Sequence, residues 1–431
     1  MINGVRRYLG QLRSFSFNAR LYLLSTIITG LSFSIYMLIF NLYIDASGYS
    51  RSFLGELQSM PHLISLFGAL PAGVLVDRIG RKRALLLASV GWTLAYAGIV
   101  LAPGQWWLRL SMITFGLSQS LRMVTVAPFM MENSTEEERD TLFSASFGLQ
   151  TLVGFAGTFV GGYLPTVFGN ALSVNIESAP AYAGTLAITA VLSALGALPV
   201  FMIEEKADGK RAEVRSMLPW RNLGNLSMAG RIFLPNVIIS MGAAILIPYM
   251  NLFFKETFPI SDALLGTIFS VSSVITGVAT LASPLLADRW GRIRALVWTQ
   301  LVSIPFLLLI GFSGAFWVAA GAFWVRAALM NMGNPLYSAF AMQQFTERER
   351  ATVSGLMGMS WNIGWTLGPY LSGFMQEHPD IGFRPIFVVT CILYVVASLL
   401  EKWFFQGVDD QQRRAAFLKK EGVIDLTQGA D

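Results

Sequence analysis

The sequence predicts an all-α membrane protein: twelve transmembrane helices in two pseudo-symmetric six-helix bundles. Three observations carry that expectation. Hydrophobic residues make up 54% of the 431 positions and charged residues only 13%, with mean hydropathy +0.55. A soluble globular domain carries about 25% charged residues. Twelve apolar runs reach the length that a helix needs to cross a bilayer, about 20 residues. Residue patterns in the first half of the chain then recur in the second at one fixed displacement. Continuous apolar runs, without alternation at every second position, also exclude a membrane β-barrel.

The runs, numbered as spans 1 to 12 in chain order, fall at about 20–44, 52–76, 84–102, 106–131, 141–166, 181–203, 233–256, 263–287, 293–313, 316–342, 351–375 and 385–405. Connections are short except for one charged segment, 204–232, which holds Pro219 and several glycines and serines. The expected organisation is an N-terminal bundle (1–203), a cytoplasmic linker (204–232), a C-terminal bundle (233–405) and a polar, mobile cytoplasmic tail (406–431). No cleavable signal peptide is expected, because the first run follows some twenty mixed residues and is long enough to span.

Lys and Arg positions set the expected orientation. With both termini cytoplasmic, 25 of the 31 basic residues lie on the cytoplasmic side, among them Arg6, Arg7, Arg13, the run Arg81-Lys82-Arg83, the linker cations and Lys419-Lys420. Arg51, Arg109, Lys255 and Arg384 fall near the outer face, and Arg122 and Arg326 fall inside spans. The net charge of +5 is therefore a topology signal, and no nucleic-acid partner is expected. A single cysteine, Cys391, in an apolar run offers neither a disulfide framework nor a Cys-based metal site. No cofactor or metal is expected, and no Ser/His/Asp set suggests an enzyme.

The halves align at a displacement of 211 residues, which carries Asp77-Arg78-Ile79-Gly80-Arg81 onto Asp288-Arg289-Trp290-Gly291-Arg292. The same displacement matches Leu54-Gly55 to Leu265-Gly266, Glu138-Arg139 to Glu349-Arg350, and Gly157 and Gly162 to Gly368 and Gly373. Asn41-Leu42-Tyr43 pairs with Asn251-Leu252-Phe253 after a one-residue shift. Agreement at so many places points to a duplicated six-helix unit.

The segment from Gly73 through Asp77, Arg78, Gly80 and Arg81 to Arg83 resembles the signature of the major facilitator superfamily between helices 2 and 3. The degenerate copy at Asp288, Arg289, Gly291 and Arg292 falls between spans 8 and 9, so the resemblance covers nearly the whole chain. On the residues alone, Gly80 permits a tight turn, Asp77 can cap a helix or pair with Arg81, and the cations anchor one membrane face. The resemblance implies more: that this motif locks the two halves together when the protein opens outward, making Asp77 and Arg81 gate residues. A topology anchor without a conformational role is the alternative. In span 11 the run Gly364 to Gly373, with Pro369 inside, resembles the superfamily's exporter-associated motif. That motif belongs in helix 5, where this chain has Gly154, Gly157, Gly161 and Gly162 but lacks the proline. Close helix packing is the favoured reading of the run.

Arg122 and Arg326 sit about midway along spans 4 and 10. A central Arg costs roughly 2.5–3.5 kcal/mol on insertion scales and needs an aqueous path or a partner. Phe115, Ser118, Gln119, Arg122 and Val126 share one face of span 4; Arg326, Met330, Gly333 and Tyr337 share one face of span 10. The resemblance implies that spans 1, 4, 7 and 10 line a central cavity. Two cations with no carboxylate at their depth favour an anionic substrate group, gripped through the planar guanidinium fork. The expected substrate ligands are Arg122, Arg326, Gln119, Tyr337, Met330 and Tyr36. The alternatives are a packing or proton-relay role for Arg326, and for Arg122 a side chain reaching toward backbone carbonyls or Glu132. His62, midway along span 2, is the proton-coupling candidate, with a hydrogen-bonded packing residue as the alternative.

The expectation is thus a monomeric secondary transporter of the bacterial inner membrane. It moves a small organic or amphiphilic anion by alternating access, with protons as a candidate coupling ion and the lipid bilayer as its surroundings. Broad efflux of hydrophobic compounds and a transporter-like sensor are the rivals. The brevity of the tail counts against the sensor.

Overall fold

The computed structural model describes residues 15–102, 104–204, 223–378 and 382–420, and among these every regular element is helical. Most of the linker (205–222) and the last residues of the tail (421–431) lie outside the described residues. Spans 1 to 6 are the helices Phe17–Ala46, Arg51–Ile79, Arg81–Leu101, Gln105–Glu132, Glu136–Leu172 and Ala179–Met202. Span 7 runs as Leu226–Leu246, passes through a 3-10 turn at Ile247–Tyr249, and resumes as Met250–Thr257. Pro248 lies in that turn and has no N–H to continue the α-helical ladder. Spans 8 to 12 are Asp262–Trp290, Arg292–Phe312, Phe316–Gln343, Glu347–Glu377 and Arg384–Lys420.

Helix ends differ from the apolar runs where polar chemistry extends the helix. Span 5 begins ahead of its run because Thr135 and Glu138 form a reciprocal capping box. Span 12 does not stop at residue 405. It continues as helix to Lys420, so the segment expected to be a mobile tail from 406 is helical over its first part. At 1.5 Å per residue such a helix exceeds a hydrocarbon core of about 30 Å, and its polar end projects beyond it.

Among the described residues, nine of the twelve spans are apolar enough to cross a membrane by length and composition alone. The three that fall short are spans 4, 10 and 11, which carry Arg122, Arg326 and the Gly-rich run respectively.

The duplication is visible in the backbone and in the side chains. Gly80 and Gly291 adopt the same backbone conformation, φ 88° and ψ 161° against φ 89° and ψ 159°. Only glycine enters that region without strain, which explains why both motif copies keep it. Arg81 donates to Glu132, and its counterpart Arg292 donates to Gln343, the residue 211 positions on. Thr135 and Glu138 are echoed by Thr346 and Glu349, whose carboxylate accepts from the Thr346 N–H and hydroxyl. The Gly224 N–H also donates to Glu349, 2.6 Å away. These bonds, Gly224 first, hold the Glu349 carboxyl below the usual glutamate range.

Packing divides the chain into two compact units. Of the described residues, the first takes in those within 1–218, 244–274 and 365–383, so the ends of spans 7, 8 and 11 remote from the Gly80 turn pack on spans 1 to 6. Glycines matched in the sequence are those that touch. A Cβ on Gly266 would lie 2.8 Å from Gly162 Cα, and a Cβ on Gly55 would lie 3.2 Å from Gly373 Cα. Each contact is the repeat image of the other, and neither leaves room for a side chain. The second unit takes in, of the described residues, those within 219–243, 275–364 and 384–431. Its core includes Ile232, Leu296, Tyr337, Phe340, Phe345 and Phe405.

Candidate functional site

In the first unit, Arg122 projects from span 4 over an aromatic layer. Its guanidinium carbon lies 5.0 Å from the Trp92 ring centroid. Trp92 stacks on Phe115 (5.7 Å, 14°) and on Phe33 (6.3 Å, 15°). Tyr36 closes the layer against Phe115 at 5.5 Å. The arrangement holds the cation by its attraction to the ring face, worth about 0.5–2 kcal/mol. Among the described residues no carboxylate pairs with Arg122. The indole Nε1 of Trp92 is buried and has no hydrogen-bond acceptor. A half-buried cation and an orphaned buried donor in one place favour an incoming acceptor. Gln119 lies half-buried one turn earlier on span 4. Tyr36, by contrast, is buried, with its hydroxyl 3.7 Å from Met112 Sδ, so it shapes the aromatic layer from within.

In the second unit, Arg326 is only 5% exposed. One terminal nitrogen donates to the Tyr394 hydroxyl at 2.6 Å, and the guanidinium lies 5.7 Å from the same ring. Its Nε is buried without an acceptor, and no carboxylate pairs with it among the described residues. Span 12 is thus what positions this arginine, a partner the span 10 face alone does not reveal. Met330 is half-buried one turn on. The Tyr337 hydroxyl is committed to Ile232 O at 2.6 Å, inside the core of that unit.

His62 is half-buried, its ring 5.1 Å from that of Trp365 and tilted by 43°. In the motif turn, Arg81 reaches Asp77 at 3.0 Å and Glu132 at 3.4 Å. Arg78 is exposed, and nothing crowds Gly73. In the second copy Arg292 meets a neutral carboxamide, while Asp288 and Arg289 are exposed.

Two features escaped the sequence reading. The first is Glu401 on span 12, 1% exposed and hydrogen-bonded by Gln300, whose own Oε1 accepts from Ser398 at 2.7 Å. It lies near the end of an apolar run, where a lone acid reads as a boundary residue. The second is a polar network at the end of the first unit remote from the Gly80 turn. Asn41 donates to Pro248 O and Asn251 donates to Leu38 O, a reciprocal pair across the repeat. Arg51 joins Asp45 and Glu256, themselves 211 positions apart. Lys255 pairs with Glu177 at 2.5 Å and Asp262 at 3.0 Å, and Tyr182 donates to Asp262 at 3.1 Å. The 211-residue displacement of Asp45 onto Glu256 was the available signal for it.

The family model described as Major Facilitator Superfamily matches residues 22–239 and 232–425. The chain belongs to the Major Facilitator Superfamily. A curated relative, the multidrug resistance protein MdtG of Dickeya zeae, is 24% identical over 85% of this chain and 89% of its own length. A probable chloroplastic anion transporter 2 of rice is 23% identical over 84% of this chain and 70% of its own. Among solved structures, a single-residue mutant of the nucleoside transporter NupG superposes with a TM-score of 0.75 at 15% identity, covering 90% of this chain and all of that one. As a superfamily member the chain is an integral membrane transporter of small molecules and not an enzyme.

Proposed function

We propose that this superfamily member is a monomeric secondary transporter of the bacterial inner membrane, with both termini cytoplasmic, and that its substrate is a small organic or amphiphilic anion. The halves 1–203 and 233–405 work by alternating access, with Arg122 and Arg326 as ligands for the anionic group. The observation that carries this reading is Arg122, held on Trp92 without a carboxylate. An unpaired guanidinium at this depth is costly unless a ligand answers it. The aromatic layer of Trp92, Phe33 and Phe115 suits an apolar body beside the charge. A thermal-shift screen of the purified protein against anionic, neutral and cationic metabolites tests the reading, since a ligand of the folded state raises stability. Stabilisation confined to anions is expected. Stabilisation by cations or neutral compounds alone removes the anion reading.

A second reading, broad efflux of hydrophobic compounds, is favoured by the similarity to MdtG. The same screen separates the two, because efflux ligands of mixed charge would then all stabilise.

Two roles follow within the cycle. His62 is the candidate proton carrier: His62→Gln is expected to abolish flux driven by a pH gradient while sparing substrate exchange. Gradient-driven flux at the wild-type rate excludes it. Asp77 is the candidate gate residue, and Asp77→Asn is expected to shift the population toward inward-open. Label-to-label distances between the cytoplasmic ends of spans 4 and 10 report this, and unchanged distributions leave Asp77 as a topology anchor.

A further inference from the structure

Spans 8 and 9 meet at Gly291, and Arg289, Trp290, Arg294 and Trp298 together line a cavity of about 550 Å³ there. Two arginines and two tryptophans line it at a helix junction, and each helix continues from it as an exposed apolar stripe. On span 8, Leu281 and Leu285 are 77% and 70% exposed and lead at helical spacing to Arg289. On span 9, Arg294 is followed at four-residue steps by Trp298 and Val302, both exposed. Each arginine thus crowns a stripe of exposed hydrocarbon. Tryptophan at a span end marks the depth of the lipid headgroups.

We propose that this cavity binds the headgroup of an acidic phospholipid, whose negatively charged phosphodiester lies between Arg289 and Arg294 and whose acyl chains follow the two stripes. The pairing of cations with adjoining hydrocarbon selects a lipid over a free phosphate, which would have no use for the stripes. A basic pocket at the end of spanning helices recognises anionic lipid through the same electrostatics that draw basic segments to acidic membrane surfaces. The site shares no residue with the anion site proposed at Arg122.

Native mass spectrometry of the full chain, released from micelles doped with equal phosphatidylglycerol and phosphatidylcholine, tests it. Phosphatidylglycerol is expected to bind the wild type about thirty-fold more tightly, equivalent to about 1 kcal/mol per arginine. The double variant Arg289→Gln/Arg294→Gln should lose that preference, and the corresponding Lys double variant should keep most of it. Equal retention of the two lipids by the wild type overturns the proposal, whether or not the Gln variant folds. So does a preference that survives in a folded Gln variant. Displacement of phosphatidylglycerol by millimolar inorganic phosphate reassigns the cavity to free phosphate and equally overturns the lipid.

Discussion

Replacing Arg122 with Gln is expected to weaken substrate binding ten-fold or more while leaving the ligand-free protein as stable as the wild type, or more so. Hydrogen bonds to a charged group are worth roughly 1.5–3 kcal/mol, and 1.4 kcal/mol is a factor of ten in affinity. The stability has the opposite sign, because the wild type carries a guanidinium that no carboxylate answers among the described residues. Removing an unpaired charge from membrane depth relieves a cost of a few kcal/mol. Arg122→Lys should restore binding only in part: it keeps the charge but loses the planar fork and the fit to the Trp92 face. Titration of the Gln, Lys and wild-type proteins with the anion found in the stability screen, alongside their melting temperatures, checks both signs. Unchanged affinity in a folded Arg122→Gln protein removes Arg122 from the site.

Lys255→Met is expected to be among the most destabilising single changes in the first unit, by about 3–5 kcal/mol. The Asp262 side chain is 1% exposed and Lys255 is its only cationic partner among the described residues. Without the lysine, Asp262 keeps the Tyr182 hydroxyl, while Glu177 loses its ion pair. A buried carboxylate stripped of its cation costs far more than the pair contributes, so the double variant Lys255→Met/Asp262→Asn should recover much of the loss. Thermal unfolding of the two singles and the double provides the cycle. A double variant as unstable as Lys255→Met alone would show that the effect does not come from the stranded Asp262. The network ties the remote ends of spans 7 and 8 to span 6 and the turn before it, through Tyr182 and Glu177.

The helical class and the duplication were legible because each rests on local chemistry: runs of hydrocarbon and a glycine-bearing motif repeated at 211 residues. The glycines of the repeat say more than they first did. Gly55 and Gly162 mark helix surfaces, and the structure shows that each packs against the repeat partner of the other, Gly373 and Gly266. Such a swap is a property of the assembled fold and leaves no trace in linear order. Helix ends were less legible, as in span 12, since a helix continues through polar residues once water can serve its side chains. The face of span 4 was drawn from periodicity, but the partner of Arg122 is Trp92 on span 3, a choice made by rotamers and by packing between helices. Tyr36 on span 1 was an expected substrate ligand, and Tyr337 matched the periodicity of the Arg326 face of span 10. Their hydroxyls instead face Met112 and Ile232, because a buried phenol finds a local partner wherever packing offers one. Glu401 went unnoticed for the same reason in reverse: its hydrogen-bonding partner Gln300 is 101 positions earlier in the chain.

Proteoliposome counterflow shows whether Arg122 takes the negative charge of the transported molecule. The vesicles are loaded with the anion identified in the stability screen, and uptake of the labelled carboxylate is compared with that of its uncharged carboxamide. The wild type should carry the carboxylate at least ten-fold faster, and Arg122→Gln should abolish that preference. Equal flux of acid and amide through the wild type, or a preference that survives in a folded Arg122→Gln protein, would contradict that role.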